Sequence, residues 1–156
     1  MHIVISDDYQ DCIRHLDCFG KLENHTVEIF NDTVTGVDAL AERFKDAEAI
    51  VLIRERTLIT RELLDRLPKL KVISQTGKMA SHVDLFACKE KGIVVMDGRG
   101  SGAATAELNI LLILAALRKF VDEVNRLKGG QWQGFLGSQL SGKVLGVYGF
   151  GRIGKQ

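Results

Sequence analysis

The segment Val144-Leu-Gly-Val-Tyr-Gly-Phe-Gly-Arg-Ile-Gly154, just before the terminal Lys155 and Gln156, decides how the rest of the chain is read. An apolar run of Val144, Leu145, Val147 and Tyr148 leads into Gly149, Gly151 and Gly154, the G-x-G-x-x-G order in which a strand turns tightly into a helix. The first glycine allows the sharp turn, the second lets backbone approach a pyrophosphate, and the third lets the helix pack closely on the strand. Arg152 and Ile153 then stand at a helix start, where unpaired amides attract anions. The expected cofactor-binding residues are therefore Gly149, Gly151, Arg152, Ile153 and Gly154. A dinucleotide fold has two βαβαβ halves and an acidic residue about 20 positions beyond the glycines. Neither follows here, so the expectation is the truncated start of a Rossmann domain.

Upstream, the pattern alternates between strands and helices. His2 to Ser6 reads as a buried strand followed by a polar Asp7-Asp8 turn, and Cys12, Leu16 and Phe19 share the spacing of one helix face, which Gly20 ends. His25 to Phe30 is a second strand, and Val37, Leu40, Ala41 and Phe44 mark an amphipathic helix. Ala49 to Ile53 is apolar without alternation, as suits a strand covered on both faces. A loop over Arg54 to Thr60 follows, then a helix lined by Leu63, Leu64 and Leu67 and closed by Pro68. Leu70 to Ser74 is the fourth strand and Gln75 to Ala80 a turn. Ser81 to Asp84 has capping-box spacing ahead of a helix with Val83, Phe86 and Ala87 inward, and Ile93 to Met96 is the fifth strand. Five strands alternating with helices imply a parallel sheet with right-handed crossovers over residues 1–98. Past the hinge Gly98 to Gly102, residues 99–156 comprise one long buried helix, about Ala103 to Lys128, a loop fastened by Trp132 and Phe135, and the glycine-rich strand.

Composition narrows the function classes. The 156 residues carry a formal net charge of +1 with both signs dispersed, which gives no face for nucleic acid and no polybasic membrane segment. The unbroken apolar part of the long helix, Ile110 to Leu117, falls well short of the ~20 residues of a membrane span. Cys12, Cys18 and Cys88 show no C-x-x-C spacing and read as reduced thiols of a cytoplasmic protein. They lack a basic neighbourhood that would mark a nucleophile, and the default is a small buried apolar residue. No metal site is expected. An acidic phospho-receiver pocket is set aside because Arg54, not an aspartate, ends the third strand.

In order along the chain, Leu70-Lys-Val-Ile-Ser-Gln-Thr-Gly-Lys-Met-Ala-Ser-His-Val-Asp84, Gly92-Ile-Val-Val, Ala106-Glu107, Trp132 and Leu140 to Gly154 resemble the D-isomer-specific 2-hydroxyacid dehydrogenases, the family of phosphoglycerate dehydrogenase and the glyoxylate or hydroxypyruvate reductases. The resemblance implies a flavodoxin-like substrate domain followed by a Rossmann domain, with hydride passing between NAD or NADP and a small 2-oxo or 2-hydroxy acid. It implies substrate contacts at Arg54 and at the turn Gly77, Lys78 and Met79, where Met79 replaces the family's second glycine and Lys78 adds a charge. A surface arginine paired with Glu55 or a helix end is the plainer reading of Arg54. The family's arginine and its glutamate–histidine pair lie beyond the glycines, and His2, His15, His25 and His82 all precede them, so no catalytic residue is expected within this chain. The isolated chain is accordingly expected to be inactive, to bind dinucleotide weakly and to form a homodimer. The alternative is a non-enzymatic α/β interaction module associating through the helix of residues 103–128.

Overall fold

The computed structural model describes residues 1–156, which divide into two compact units, Met1–Gly100 and Ser101–Gln156. In the first, β1 (His2–Ile5), β2 (Thr26–Ile29), β3 (Ala49–Ile53), β4 (Val72–Thr76) and β5 (Val94–Asp97) form one sheet in the order β2-β1-β3-β4-β5. Every pairing is parallel, with Val4 opposite Ile50, Ile50 opposite Ile73 and Ile73 opposite Val95. This is the expected flavodoxin-like order, whose reversal of direction lies between β1 and β3.

On one face, α1 (Val37–Phe44), α2 (Arg61–Asp65) and α3 (Leu85–Glu90) close the main core around Phe44, Ile50, Leu52, Leu63 and Ile73, each at most 2% exposed. Thr60 caps α2 by accepting from the Leu63 amide at 3.2 Å. Asp84 is itself the N-cap of α3, accepting from the Ala87 amide at 2.8 Å, and so does not hold the third helical position of a capping box. That shift turns Phe86 outward, where it lies under the Arg61 guanidinium, while Val83 and Ala87 stay buried as expected.

On the other face, the expected helix through Cys12, Leu16 and Phe19 is replaced by two short 3-10 helices, Ile13–His15 and Asp17–Leu22. The Asp8 carboxylate accepts from the Cys12 and Ile13 amides at 3.1 and 2.9 Å, fixing the start of the segment, and Leu16 is extended. Ile13, Phe19 and Leu22 then pack on Ile3, Ile5 and Ala49, leaving Leu16 exposed.

In the second unit, the single long helix is two, α4 (Ala103–Leu117) and α5 (Phe120–Lys128), broken by Lys119 at φ +53°. α4 is apolar all round between Ile110 and Leu117, yet none of its residues is buried. α5 has one apolar face, Phe120, Val124 and Leu127, which lies beside Trp132. Trp132 remains largely exposed and does not fasten the loop to a core. Residues 144–149 form no strand, because no other segment supplies a ladder partner; Val144 and Tyr148 are open to solvent. No helix is long and apolar enough to cross a membrane.

Candidate functional site

In a parallel sheet, ligands bind beyond the carboxyl ends of the strands near the reversal of strand order. Three adjacent strands of the first unit leave that edge by a left-handed residue: Asp7 after β1 at φ +64°, Arg54 after β3 at φ +62° and Gly77 after β4 at φ +106°. For a non-glycine residue this conformation costs about 1–2 kcal/mol, so surrounding bonds must hold it.

At Asp7 those bonds are buried. Its two carboxylate oxygens accept from Thr33 Oγ1 at 2.5 Å and Thr57 Oγ1 at 2.6 Å, and its carbonyl accepts from Arg56 Nη1 at 2.7 Å. Arg56 also stacks 4.0 Å over the Tyr9 ring, and Ser6 lies 3.3 Å from Thr57. Asp7-Asp8 is therefore a buried polar anchor rather than a solvated turn. Burial tends to raise the Asp8 pKa, but the Ile13 and Cys12 amides and the Cys12 thiol together outweigh it and hold the carboxyl below its ordinary range. In return Asp8 pushes the Cys12 thiol up, and burial does the same for Cys88, so neither is an activated thiolate. Cys12 and Cys18 are exposed, against expectation; Cys88 is buried.

At Arg54 the carbonyl accepts from Gln75 Nε2 at 3.0 Å, while the guanidinium is exposed and makes no ion pair, with Glu55 or any other group. Ile53 lies opposite Thr76 in the β3–β4 register, so Arg54 and Gly77 leave the sheet side by side. Thr76 Oγ1 donates to the Leu52 carbonyl at 3.0 Å, tying the two strand ends together. In the turn that follows, the Gly98 amide is shared between the Gln75 and Gly77 carbonyls at 3.1 and 2.8 Å. A Cβ at Gly98 would stand 3.2 Å from the Gly77 nitrogen. The Met79 amide donates to Asp97 Oδ2 at 3.1 Å and its side chain packs on the core, so Met79 anchors the turn rather than offering a free amide. Lys78 has no partner for its amide or its ammonium. The sheet edge thus presents two unpaired cations, Arg54 and Lys78, on neighbouring strand ends, a pattern suited to a small carboxylate.

Sequence reading missed the residues behind this edge. Gln75 lies within β4 and not in the turn where its sequence placed it; between Ser74 and Thr76 its polarity carried no signal. His82 is 7% exposed and bonded to Gln75. The one close histidine–glutamate pair, His2 with Glu28 at 3.5 Å, lies where β1 begins, at the opposite end of the sheet.

In the second unit the glycine turn is present without its flanking strand and helix. Gly149 is at φ +94°, and a Cβ on Gly154 would stand 2.5 Å from the Gly149 carbonyl oxygen. The Lys155 amide donates to the Gly151 carbonyl at 3.1 Å, one helical turn around Arg152, Ile153 and Gly154. Gly149 by its φ and Gly154 by its crowding are required by the turn itself, whereas a Cβ at Gly151 would meet open space.

The catalytic-domain family described as D-isomer specific 2-hydroxyacid dehydrogenase matches residues 3–141. The chain belongs to this family. D-3-phosphoglycerate dehydrogenase of Methanocaldococcus jannaschii is 37% identical over 160 residues, covering 99% of this chain and 29% of that protein. The crystal structure of a phosphoglycerate oxidoreductase from Vibrio cholerae O395 is 48% identical with a TM-score of 0.90, covering 99% of this chain and 50% of that one. D-lactate dehydrogenase from Aquifex aeolicus, solved with NAD and lactic acid, is 27% identical with a TM-score of 0.69, covering 98% of this chain and 46% of that one. The chain therefore spans half or less of the length of these relatives.

Proposed function

We propose that the chain supplies the substrate domain, residues 1–98, and the opening of the cofactor domain, residues 99–156, of an NAD(P)-dependent D-2-hydroxyacid dehydrogenase that reversibly reduces a small 2-oxo acid. The observation that carries this is the pair of unpaired cations, Arg54 and Lys78, flanking the left-handed Gly77 where β3 and β4 end. Arg54 and Lys78 bind the substrate carboxylate, with the Gly77–Met79 turn giving the loop its shape. Gly149, Gly151, Arg152, Ile153 and Gly154 take the pyrophosphate. A nicotinamide cofactor held by those residues would supply the hydride chemistry; this chain's residues bind and orient the acid. No histidine pairs with a carboxylate at the cationic edge, so the acid/base step is not assigned to this chain.

Two outcomes follow for the purified 156-residue chain. It gives no turnover of glyoxylate or hydroxypyruvate, and glyoxylate shifts the amide NMR signals of Gly77, Lys78 and Arg54, an effect lost in Arg54→Ala. Turnover by this chain, or shifts confined to other residues, would refute the assignment.

A further inference from the structure

We infer that Gln75 and His82 are positioning residues that hold Arg54 in its left-handed turn and so set the anion-binding edge; the inference rests on the role proposed for Arg54. The hydrogen-bond chemistry fixes how the three are joined. A backbone carbonyl can only accept, so the Gln75 nitrogen faces Arg54 O and Oε1 faces the His82 ring, 3.1 Å from Nε2. His82 Nε2–H therefore donates to Gln75 Oε1. Its Nδ1 is buried with no partner.

His82 is fastened at the backbone as well. Its carbonyl accepts from the Ile59 amide at 2.8 Å, and the Asp84 amide donates to the Ile59 carbonyl at 2.9 Å, an isolated parallel bridge between Ile59 and Val83. The loop that leaves β3 is thus gripped at its first residue, Arg54, by Gln75 and at its far end, Ile59, by the backbone around His82, and the two grips are bonded to each other.

Packing alone does not call for this pair. Gln75 is 2% exposed on a strand whose buried neighbour is Ile73, where a leucine or methionine fills the same space without an amide to satisfy. Burying two polar side chains is unfavourable unless each finds partners. The acceptor that completes the chain is the carbonyl of the strained arginine.

The test uses Gln75→Met, which keeps the volume and removes both bonds. Its crystal structure is expected to show Arg54 out of the positive-φ region with the sheet unchanged. Glyoxylate affinity is expected to fall about tenfold, the loss of roughly one hydrogen bond's worth of positioning. Adding Gln75→Met to Arg54→Ala is expected to weaken binding no further, because both act through one group. A variant that only melts earlier, with Arg54 still at positive φ and glyoxylate binding unchanged, overturns the inference. Should Gln75→Met fail to fold, His82→Leu decides: an unchanged Arg54 turn and unchanged affinity overturn it, and a relaxed turn with weaker binding supports it. If the parent chain binds no glyoxylate, the role of Arg54 falls, while the φ measurement still decides whether Gln75 and His82 hold the turn.

Discussion

Replacing Thr57 by valine isolates what the buried bonds around Asp7 contribute. The two side chains are nearly equal in volume, so packing survives, but the hydroxyl is withdrawn from Asp7 Oδ2 at 2.6 Å and from Ser6 Oγ at 3.3 Å. Asp7 is 1% exposed and Thr57 4%, which leaves no room for water to replace the lost donor. A buried acceptor left without a partner costs about 1–3 kcal/mol, and more when charged, so Thr57→Val should destabilise the first unit by about 2–4 kcal/mol. Thr57→Ser keeps the hydroxyl and gives up one methyl, a loss of about 1 kcal/mol. The expected order of stability is parent, then Thr57→Ser, then Thr57→Val. A site governed by apolar contact alone reverses the last two. Because the chain has two units, a single global unfolding curve is the wrong measure. Native-state hydrogen exchange resolves the first unit by itself, and the Ser6 amide, which donates to the Val51 carbonyl between β1 and β3, is the direct reporter. Protection in Thr57→Val equal to the parent, or greater than in Thr57→Ser, refutes the reasoning.

Three further outcomes are expected. The Asp8 carboxyl is held low by donors from Cys12 and Ile13, so its contribution is complete above the usual carboxylate range near pH 4 and fades as pH falls through its lower folded value. The stability gap between the parent and Asp8→Asn, followed by urea unfolding read at amide NMR signals of the first unit, should therefore be widest near neutrality and narrow in acid; a gap that widens toward acid contradicts the sign. Gly154→Ala drives a Cβ to within 2.5 Å of the Gly149 oxygen, so the amide signals of residues 149–153 should move and any NAD affinity should drop about tenfold. Unchanged spectra would remove the close-approach role of that glycine. Leu111 and Leu112 are more than half exposed on a helix without a polar face, and such a patch favours self-association. Sedimentation should show a dimer or larger species for the parent and a monomer for Leu111→Glu with Leu112→Glu, and a monomeric parent sinks the idea.

The sheet was legible because its strands are apolar runs separated by punctuation of known meaning. Ala49 to Ile53 has no alternation and is paired on both sides; Gly92, at φ +69°, ends α3 as its position implied. What escaped was decided by contacts that spacing does not encode. Cys12, Leu16 and Phe19 match a helical face, but the Asp8 carboxylate captures the first amides and diverts the segment into 3-10 turns. The long helix breaks at Lys119, where neither glycine nor proline gives warning. The glycine fingerprint was read correctly as a tight turn, while the strand before it depends on a neighbour that periodicity cannot supply. At the site, Arg54 and Gly77 were visible as types in a familiar order. The residues holding them were not, since a glutamine in a strand and a histidine in a turn acquire meaning only when the register brings them to the same carbonyl.

The left-handed exits of β1, β3 and β4 explain why so much polar chemistry is buried at one edge of an apolar sheet. Asp7 and Arg54 each hold a backbone conformation that L side chains avoid, and a relaxed loop would release that strain. Apolar packing cannot prevent the release, because it resists compression more than rotation about φ; a directed bond to a carbonyl or carboxylate can. Thr33 and Thr57 supply it at Asp7, and Gln75 with His82 supplies it at Arg54. At the opposite edge, where β1 begins, the partly exposed side chains of His2 and Glu28 approach to 3.5 Å on ordinary extended backbone. Buried polar networks and strained turns thus occur together, at the end of the sheet where the cations stand. The cost of each is understandable only if the shape of that edge, and not merely its stability, is what the chain preserves.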